Sequence, residues 1–225
     1  MNVIVFGATG MVGQGVLREC LLDPRVETVV TVGRSATGQQ HPKLREIVHR
    51  DLLDFRPIAA QLSGLDACFF CLGISSAGMT EEQYGRVTYD ITLAAAETLV
   101  RLNPRMTFIY VSGVGTDSTE KGRTMWARVK GMTENALLRM AFKAAYMFRP
   151  GVIQPLHGIT SRTRLYRAGY VVFKPLFPLL KRMFPRQILT TEEIGWAMIE
   201  AALHGAPKPV LEPPDIKAMA LRRQA

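Results

Sequence analysis

Three evenly spaced glycines near the start of the chain constrain its fold more than any other feature. In VFGATGMVG they are Gly7, Gly10 and Gly13, between an apolar run at 2–6 and a stretch with helical periodicity at 11–22. Glycine spacing alone is a weak signal, but a strand before it and a helix after it are the context of a dinucleotide-binding turn. Gly7 would permit the tight turn, Gly10 would let the backbone approach a pyrophosphate, and Gly13 would let helix and strand pack closely.

The predicted helix adds an electrostatic reason for a phosphate at this turn. Its first turn leaves backbone N–H groups free and carries about half a positive charge, and both favour an anion. We therefore predict a dinucleotide site, and the alternative is a strand-to-helix turn that holds no ligand. The predicted contacts within the turn are Gly7, Thr9, Gly10, Met11, Val12 and Gly13.

Apolar runs alternate with helical stretches along the rest of the chain. The runs lie at 27–33, 44–50, 66–73, 106–113 and 144–151, and the helical stretches lie at 80–102, 124–142 and 188–205, the last with Thr191 as its N-cap. Strands that are apolar on both faces and separated by helices indicate a parallel sheet covered on two sides. Since no linker or repeat interrupts the 225 residues, we predict one domain over 1–225. Its fold class is α/β, a doubly wound parallel sheet of the NAD(P)-binding Rossmann type with a small C-terminal lobe.

The end of the second predicted strand suggests which dinucleotide is bound. NAD-selective sites place a carboxylate there to bind the ribose 2′-OH, whereas this chain has Arg34 followed by Ser35. An arginine suits a 2′-phosphate, so we favour NADP(H) over NAD(H). An arginine that is merely solvated is the alternative. After the third strand, Asp51 and Leu52 are expected near the adenine.

Four motifs, in this order, resemble the short-chain dehydrogenase/reductase superfamily in its atypical or extended branch. They are GATGMVG, CLGISSAG (71–78), YVSGVG (110–115) and FRPGVI (148–153). Within that superfamily the chain is most similar to the oxidoreductase-like group of the Tat-interacting protein and to bacterial epimerase/dehydratase-like proteins. The resemblance spans almost the whole chain. It implies that Leu72, Gly73 and Pro150 lie beside the cofactor and that Ser112 is the catalytic serine.

The catalytic helix of the superfamily carries Y-x-x-x-K, and here the pattern reads WARVK, so Lys130 is kept and Trp126 replaces the tyrosine. The resemblance implies that Lys130 binds the nicotinamide ribose, but an indole cannot supply the missing proton. Trp126 would be a core or wall residue, or a ring stacked on the ligand. The chain would then be a reductase or epimerase with a replacement acid, such as Tyr84, Tyr89 or a water on Ser112. The alternative is a non-catalytic sensor or scaffold that binds NADP(H).

A basic and apolar segment at 160–186 leaves several partners open. It has seven basic residues and no acidic one, in a chain of net charge +9. In the resembled family this region, here 155–186, forms a lid or substrate-side lobe. The other interpretations are a surface that contacts anionic lipid and a pocket for an anionic substrate. No nucleic-acid recognition motif accompanies the charge.

The remaining expectations concern metals, location and assembly. The four histidines lack metal-ligand spacing, and no metal is predicted. Three cysteines make no disulfide framework, and the N-terminus has no secretory signal pattern, so we expect a cytoplasmic protein with peripheral membrane contact as an option. By analogy with relatives, a homodimer would form through 80–102 and 124–142. The substrate cannot be read from the sequence.

Overall fold

Short apolar strands form the central sheet of the molecule, a computed structural model that describes residues 1–159 and 187–224. The strands in the described residues are β1 (Asn2–Phe6), β2 (Thr28–Gly33), β3 (Leu44–Val48), β4 (Ala67–Phe70), β5 (Thr107–Val111), β6 (Ala144–Phe148), β7 (Val152–Gln154), β8 (Ile188–Thr190) and β9 (Val210–Leu211). Seven of them form one parallel sheet in the order β3-β2-β1-β4-β5-β6-β9, and β7 pairs with β8. The strand order reverses beside β1, and ligands bind at the carboxyl ends of strands at such a point.

Helices connect the strands and cover both faces of the sheet. They are α1 (Met11–Leu22), α2 (Glu81–Gly85), α3 (Ile91–Leu102), α4 (Met125–Leu138), α5 (Thr191–His204) and α6 (Pro213–Leu221), with 3-10 turns at Arg56–Gln61 and Arg222–Gln224. A π-helical segment, Arg86–Asp90, joins α2 to α3. The sequence therefore predicted this helical region correctly over 80–102 but held no sign of the wider π turn within it.

Alternate residues of each strand pack into one of two apolar layers, as two-sided burial requires. One layer holds Val5 and Phe69 against α1, α5 and α6. The other holds Phe6, Phe70 and Phe108 against α3 and α4. In the second layer the rings stack in sequence, with centroids 5.1 Å and 5.9 Å apart. The predicted fold class, a doubly wound parallel sheet of the Rossmann type, is confirmed.

The start of α5 differs from the prediction. Residues 188–190 form β8, and the N-cap is Thr190, so the prediction of Thr191 was wrong by one residue. The Thr190 hydroxyl accepts the Glu193 N–H at 3.0 Å, and the Glu193 carboxylate accepts the Thr190 N–H at 2.9 Å. Pairing with β7 extends the backbone up to Thr190, which therefore becomes the last non-helical residue and the one able to cap.

The predicted lobe at 155–186 falls mostly outside the described residues, which stop at 159 and resume at 187. The lipid-contacting and substrate-binding interpretations of 160–186 fall outside them as well. In the described part of the chain, no helix has the length and apolar character needed to cross a bilayer. The homodimer through the helices at 80–102 and 124–142 stays a prediction.

Candidate functional site

A cleft of about 650 Å³ opens at the carboxyl ends of β1, β2, β3 and β4, where the strand order reverses. Ten of the predicted site residues line it: Gly7, Thr9, Gly10, Met11, Arg34, Ser35, Asp51, Leu52, Leu72 and Gly73. These residues come from four separate turns along the chain. The parallel sheet brings the turns together because the carboxyl ends of its strands share one edge.

The glycine turn has the tight geometry expected of a phosphate cradle. Gly7 has φ +74°, and a Cβ there would lie 2.6 Å from the Leu72 nitrogen. A Cβ on Gly13 would lie only 2.1 Å from the Gly7 carbonyl oxygen, so helix α1 can approach β1 only with glycine at this position. Gly10 is the N-cap of α1, and no side chain in the described residues caps that helix. The first-turn N–H groups of α1 thus fit a phosphate.

The loop after β2 presents two polar predicted residues, Arg34 and Ser35, to the cleft, and both are exposed. A nearby carboxylate on β3, that of Glu46, accepts the Thr37 N–H at 2.6 Å and the Thr31 hydroxyl at 3.4 Å. Glu46 itself does not line the cleft. The Glu46 side chain therefore serves as a hydrogen-bond acceptor for the loop and holds the loop that carries Arg34 in place.

The site also contains cleft residues that the sequence reasoning missed. Arg50 lines it directly before Asp51, and Cys71, Ile74 and Ser75 line it beside the predicted Leu72 and Gly73. Their only sequence signal was adjacency to the predicted positions. Val87 and Ile91 line the cleft from the π-helical segment and the start of α3. Nothing in the sequence could have identified these two, since the tertiary packing of that helix decides which of its faces meets the cleft.

Ser112 lies just beyond β5 and is not among the residues that line the cleft. It is 9% exposed, and its hydroxyl donates to the Glu134 carboxylate at 2.5 Å. The same oxygen lies 3.2 Å from the Phe148 carbonyl oxygen. A serine hydroxyl has one proton to donate, and here that proton points into the protein.

Lys130 and Trp126 lie one turn apart on α4. The Lys130 ammonium donates to the Ser112 carbonyl at 2.7 Å and lies 5.8 Å from the centroid of the Tyr110 ring. Burial lowers the pKa of Lys130 to about 8, although the nearby Glu134 carboxylate acts in the opposite direction. The Trp126 ring packs over Gly115, where a Cβ would lie 3.5 Å from the ring. Neither side chain lines the cleft of the described residues.

An ion pair that the sequence reasoning missed supports this cluster. Glu134 is 1% exposed and pairs with Arg149, whose Nε donates to it at 3.0 Å. Arg149 also reaches Glu212 at 3.3 Å. The pair joins α4 to the residue that follows β6, and Glu134 also accepts the Ser112 hydroxyl. Its sequence signal was faint: Glu134 follows Lys130 by four residues, which places both on one helix face.

Five predicted site residues do not line the cleft: Val12, Gly13, Ser112, Lys130 and Pro150. Val12 packs against the apolar layer of α1, and Gly13 lies beneath the turn against Gly7. Pro150 is buried, and its carbonyl accepts the Val114 N–H at 3.1 Å. Cofactor roles for these residues stay predictions. Of the proposed replacement acids, Tyr84 is buried and Tyr89 is half-buried, and neither is among the residues that line the cleft.

One group of metal-binding residue types does come together in the described residues, away from the cleft. Ligand atoms of Glu19, His157 and Glu192 all lie within 4.8 Å of one another. Arg18 pairs with Glu19 and lies 3.8 Å from the Glu192 carboxylate. The Trp196 ring N–H also donates to Glu19 at 2.6 Å. Arg18 and Trp196 therefore already stabilise the negative charge of these carboxylates, and the three residues do not indicate a metal site.

A family model supports a dinucleotide as the occupant of the cleft. The model described as semialdehyde dehydrogenase, NAD-binding domain, matches residues 2–135, more than half of the 225 residues. The matched region runs from β1 through most of α4 and contains every residue that lines the cleft.

Relatives of known name are similar at low identity. Protein fmp52, mitochondrial, of Emericella nidulans is 28% identical over 159 residues, which cover 68% of this chain and 66% of that protein. Protein HTATIP2 of Rattus norvegicus is 27% identical over 155 residues, covering 68% and 62%. The chain thus spans slightly less than two thirds of these relatives. Several fungal relatives are named mitochondrial, so the expected cytoplasmic location was wrong. Unpaired cysteines indicate reducing conditions, which do not specify one compartment.

Among solved structures, the Bordetella bronchiseptica enzyme WbmF in complex with NAD+ is similar in fold. Its TM-score is 0.68 at 16% identity, over 98% of this chain and 77% of that one. At this identity the likeness concerns the fold alone, and it agrees with the short-chain dehydrogenase/reductase resemblance of the sequence motifs.

Proposed function

This chain belongs to the family of the semialdehyde dehydrogenase NAD-binding domain and has a short-chain dehydrogenase/reductase-like fold, and from that premise we propose that it is an NADP(H)-binding oxidoreductase-like protein with an altered catalytic position. The observation that carries the proposal is the cleft of about 650 Å³, which is lined both by an uncapped helix N-terminus and by Arg34. Activity, substrate and partners of the full protein are part of the proposal.

The residues present fit the cofactor. The first turn of α1 would hold the pyrophosphate, and the space beside Gly7 that a Cβ would fill keeps the backbone close to it. Asp51 and Leu52 line the end expected to hold the adenine, where an Asp51 carboxylate oxygen accepts the Leu53 N–H at 3.0 Å. A bound nicotinamide cofactor supplies or accepts a hydride.

Arg34 supports NADP(H) over NAD(H). The loop after β2 offers a guanidinium to the cleft where an NAD-selective site has a carboxylate. The Glu46 carboxylate on β3 is bound to the backbone N–H of Thr37, and the Asp51 carboxylate, which follows β3 and not β2, accepts the Leu53 N–H. A 2′-phosphate therefore meets a cation at this end of the cleft and no carboxylate from the β2 loop.

The residues at the predicted catalytic position favour slow turnover. Trp126 has no proton to exchange, and the Ser112 hydroxyl is bound to Glu134. Lys130 uses one of its three N–H groups on the Ser112 carbonyl, which leaves two others. With a pKa of about 8, its ammonium can exchange a proton close to neutral pH. Loss of a well-placed general acid costs about 10²–10⁴-fold in rate.

A second candidate function follows from the same residues. The chain would bind NADP(H) without turnover and act as a sensor or scaffold. The packing of Trp126 over Gly115 and the inward hydrogen bond of Ser112 favour this function, because both fill or occupy positions that a reductase uses on its substrate.

The test compares Trp126→Tyr with wild type for NADPH oxidation against a panel of aldehydes, ketones and quinones. The expected result is slow or undetectable turnover in wild type and a gain of at least about tenfold in the variant, because tyrosine restores a general acid. Trp196→Tyr is the matched control, since the ring N–H of Trp196 bonds to Glu19 on α1 and lies away from the cleft. It should leave turnover unchanged.

Two outcomes would contradict the proposal. If wild type binds neither NADPH nor NADH at millimolar concentration in a calorimetric titration, the cleft is not a dinucleotide site. If Trp126→Tyr binds NADPH normally without gaining activity on any carbonyl compound, the non-catalytic candidate replaces the oxidoreductase.

A further inference from the structure

The end of the cleft that holds Arg34 contains a second arginine, Arg50. The two come from neighbouring parallel strands, whose register pairs Gly33 with Val48. The pairing continues one residue further, since the His49 N–H donates to the Gly33 carbonyl at 2.9 Å. This register places Arg34 opposite His49 and Arg50 opposite Ser35, and adjacent strands lie about 4.8 Å apart, so the two arginines follow neighbouring strand ends, one residue out of step. Both line the cleft.

Both guanidiniums are exposed, and neither bonds to another residue in the described part of the chain. Several other arginines are instead neutralised by carboxylates: Arg18, Arg25, Arg56, Arg128, Arg149 and Arg223. Two unpaired like charges at one end of a cleft repel each other, and an anion between them would remove that repulsion.

A hydrogen bond from the neighbouring strand β3 holds the loop that carries Arg34 in place. Glu46, on the same strand that leads to Arg50, accepts the Thr37 N–H at 2.6 Å. Its carboxylate is thereby occupied by the loop backbone and does not pair with either arginine. Glu46 thus fixes the loop that follows Arg34, and the positive charges of Arg34 and Arg50 stay free to bind an anion.

We propose that Arg34 and Arg50 together bind the 2′-phosphate of NADP(H), with Arg50 as a specificity-determining residue; this inference rests on the proposed function. A phosphate monoester has three oxygens and close to two negative charges at neutral pH. One guanidinium can engage two of those oxygens. A second arginine from the adjacent strand binds the remaining charge, which a ribose 2′-OH lacks. Arg50 therefore discriminates between the two cofactors.

The experiment measures the dissociation constants of NADPH and NADH by fluorescence titration. The proteins are wild type, Arg34→Ala, Arg50→Ala and the double variant. Arg50→Ala should weaken NADPH about 10-fold, the value of one charge-assisted contact, and leave NADH unchanged. Arg50→Lys should lose less, since it keeps the charge but not the two-pronged geometry. The double variant should bind both cofactors with about equal affinity.

The matched control is Arg105→Ala. Arg105 is also exposed, but it precedes β5 and so lies at the opposite edge of the sheet from the cleft. It should change neither constant. Adenosine 2′,5′-bisphosphate and AMP serve as small probes that differ in the 2′-phosphate and lack the nicotinamide. Arg50→Ala should weaken only the bisphosphate.

The pattern separates two failures. If wild type prefers NADPH but Arg50→Ala weakens NADPH and NADH equally, Arg50 contacts the adenine or the pyrophosphate and the inference is wrong while the proposed function stands. The same holds if Arg50→Ala changes neither. If wild type binds NADH as tightly as NADPH, the NADP(H) assignment itself fails, and the two-arginine site fails with it.

Discussion

The buried ion pair behind Ser112 is the interaction whose loss we expect to cost most. Glu134→Gln keeps the shape of the side chain and an acceptor for the Ser112 hydroxyl but removes the charge that faces Arg149. Because the Glu134 and Arg149 side chains are 1% and 11% exposed, the arginine cannot turn to water without disturbing α4 and β6. Removing one partner of a buried pair costs about 3–5 kcal/mol.

The size of this loss can be checked against a second carboxylate on the same arginine. Glu212 reaches Arg149 at 3.3 Å, but its side chain is 40% exposed, so solvent screens the pair. Glu212→Gln should cost less than about 1 kcal/mol. For a chain of this length a loss of about 3 kcal/mol lowers Tm by roughly 6–12 °C. Thermal unfolding followed by circular dichroism at neutral pH measures both variants.

Combining Glu134→Gln with Arg149→Met gives a further check. It removes both charges, and most of the lost stability should return because no unpaired buried charge remains. If Glu134→Gln lowers Tm no more than Glu212→Gln does, the pair is screened in solution and the reasoning from burial is refuted.

Two further predictions concern the turn and the lysine. Gly13→Ala places a methyl group 2.1 Å from the Gly7 carbonyl oxygen, so the affinities for NADPH and NADH should fall together and the free energy of unfolding should drop by about 1–3 kcal/mol. The control Gly85→Ala, with no atom within 4 Å of the added Cβ, should keep both cofactor affinity and stability. Cofactor titration and thermal melts measure the two effects. Lys130 is half-buried, and its ammonium has a folded-state pKa of about 8, below its unfolded value, so the unfolded state binds more protons between pH 8 and 10. Unfolding free energy of wild type relative to Lys130→Met should therefore rise with pH there, by up to about 1.4 kcal/mol per unit; a flat difference in urea titrations would show that the amine is not desolvated.

Local sequence patterns predicted the strands and helices that are long enough to show a period. The run 2–6 and the stretch 11–22 became β1 and α1 with the predicted bounds. The short strands β7, β8 and β9 have two or three residues each, and no alternation can be recognised over so few positions. Because β8 was not recognised, the N-cap of α5 was predicted at Thr191 and not at Thr190.

The motif residues predicted correctly to line the cleft are those that act through the backbone or directly follow a strand. Gly7, Gly10, Arg34 and Leu72 all line it, since each follows a strand of a parallel sheet. Ser112 and Lys130 were predicted from the resemblance, and the structure brings these two together, at 2.7 Å from the ammonium to the carbonyl oxygen. It also directs the Ser112 hydroxyl to Glu134, which no spacing in the sequence had indicated.

The sequence by itself determined the parallel α/β fold, the glycine turn and the presence of Trp126 where the resembled superfamily has its tyrosine, because periodicity, glycine spacing and residue identity are local properties. Only the tertiary structure decided that Arg50 lines the same cleft as Arg34 and that Glu134 faces Arg149. Those pairs are 16 and 15 residues apart in the chain. The first arrangement depends on strand register and the second on how α4 packs against the sheet, and many distant residues together decide both.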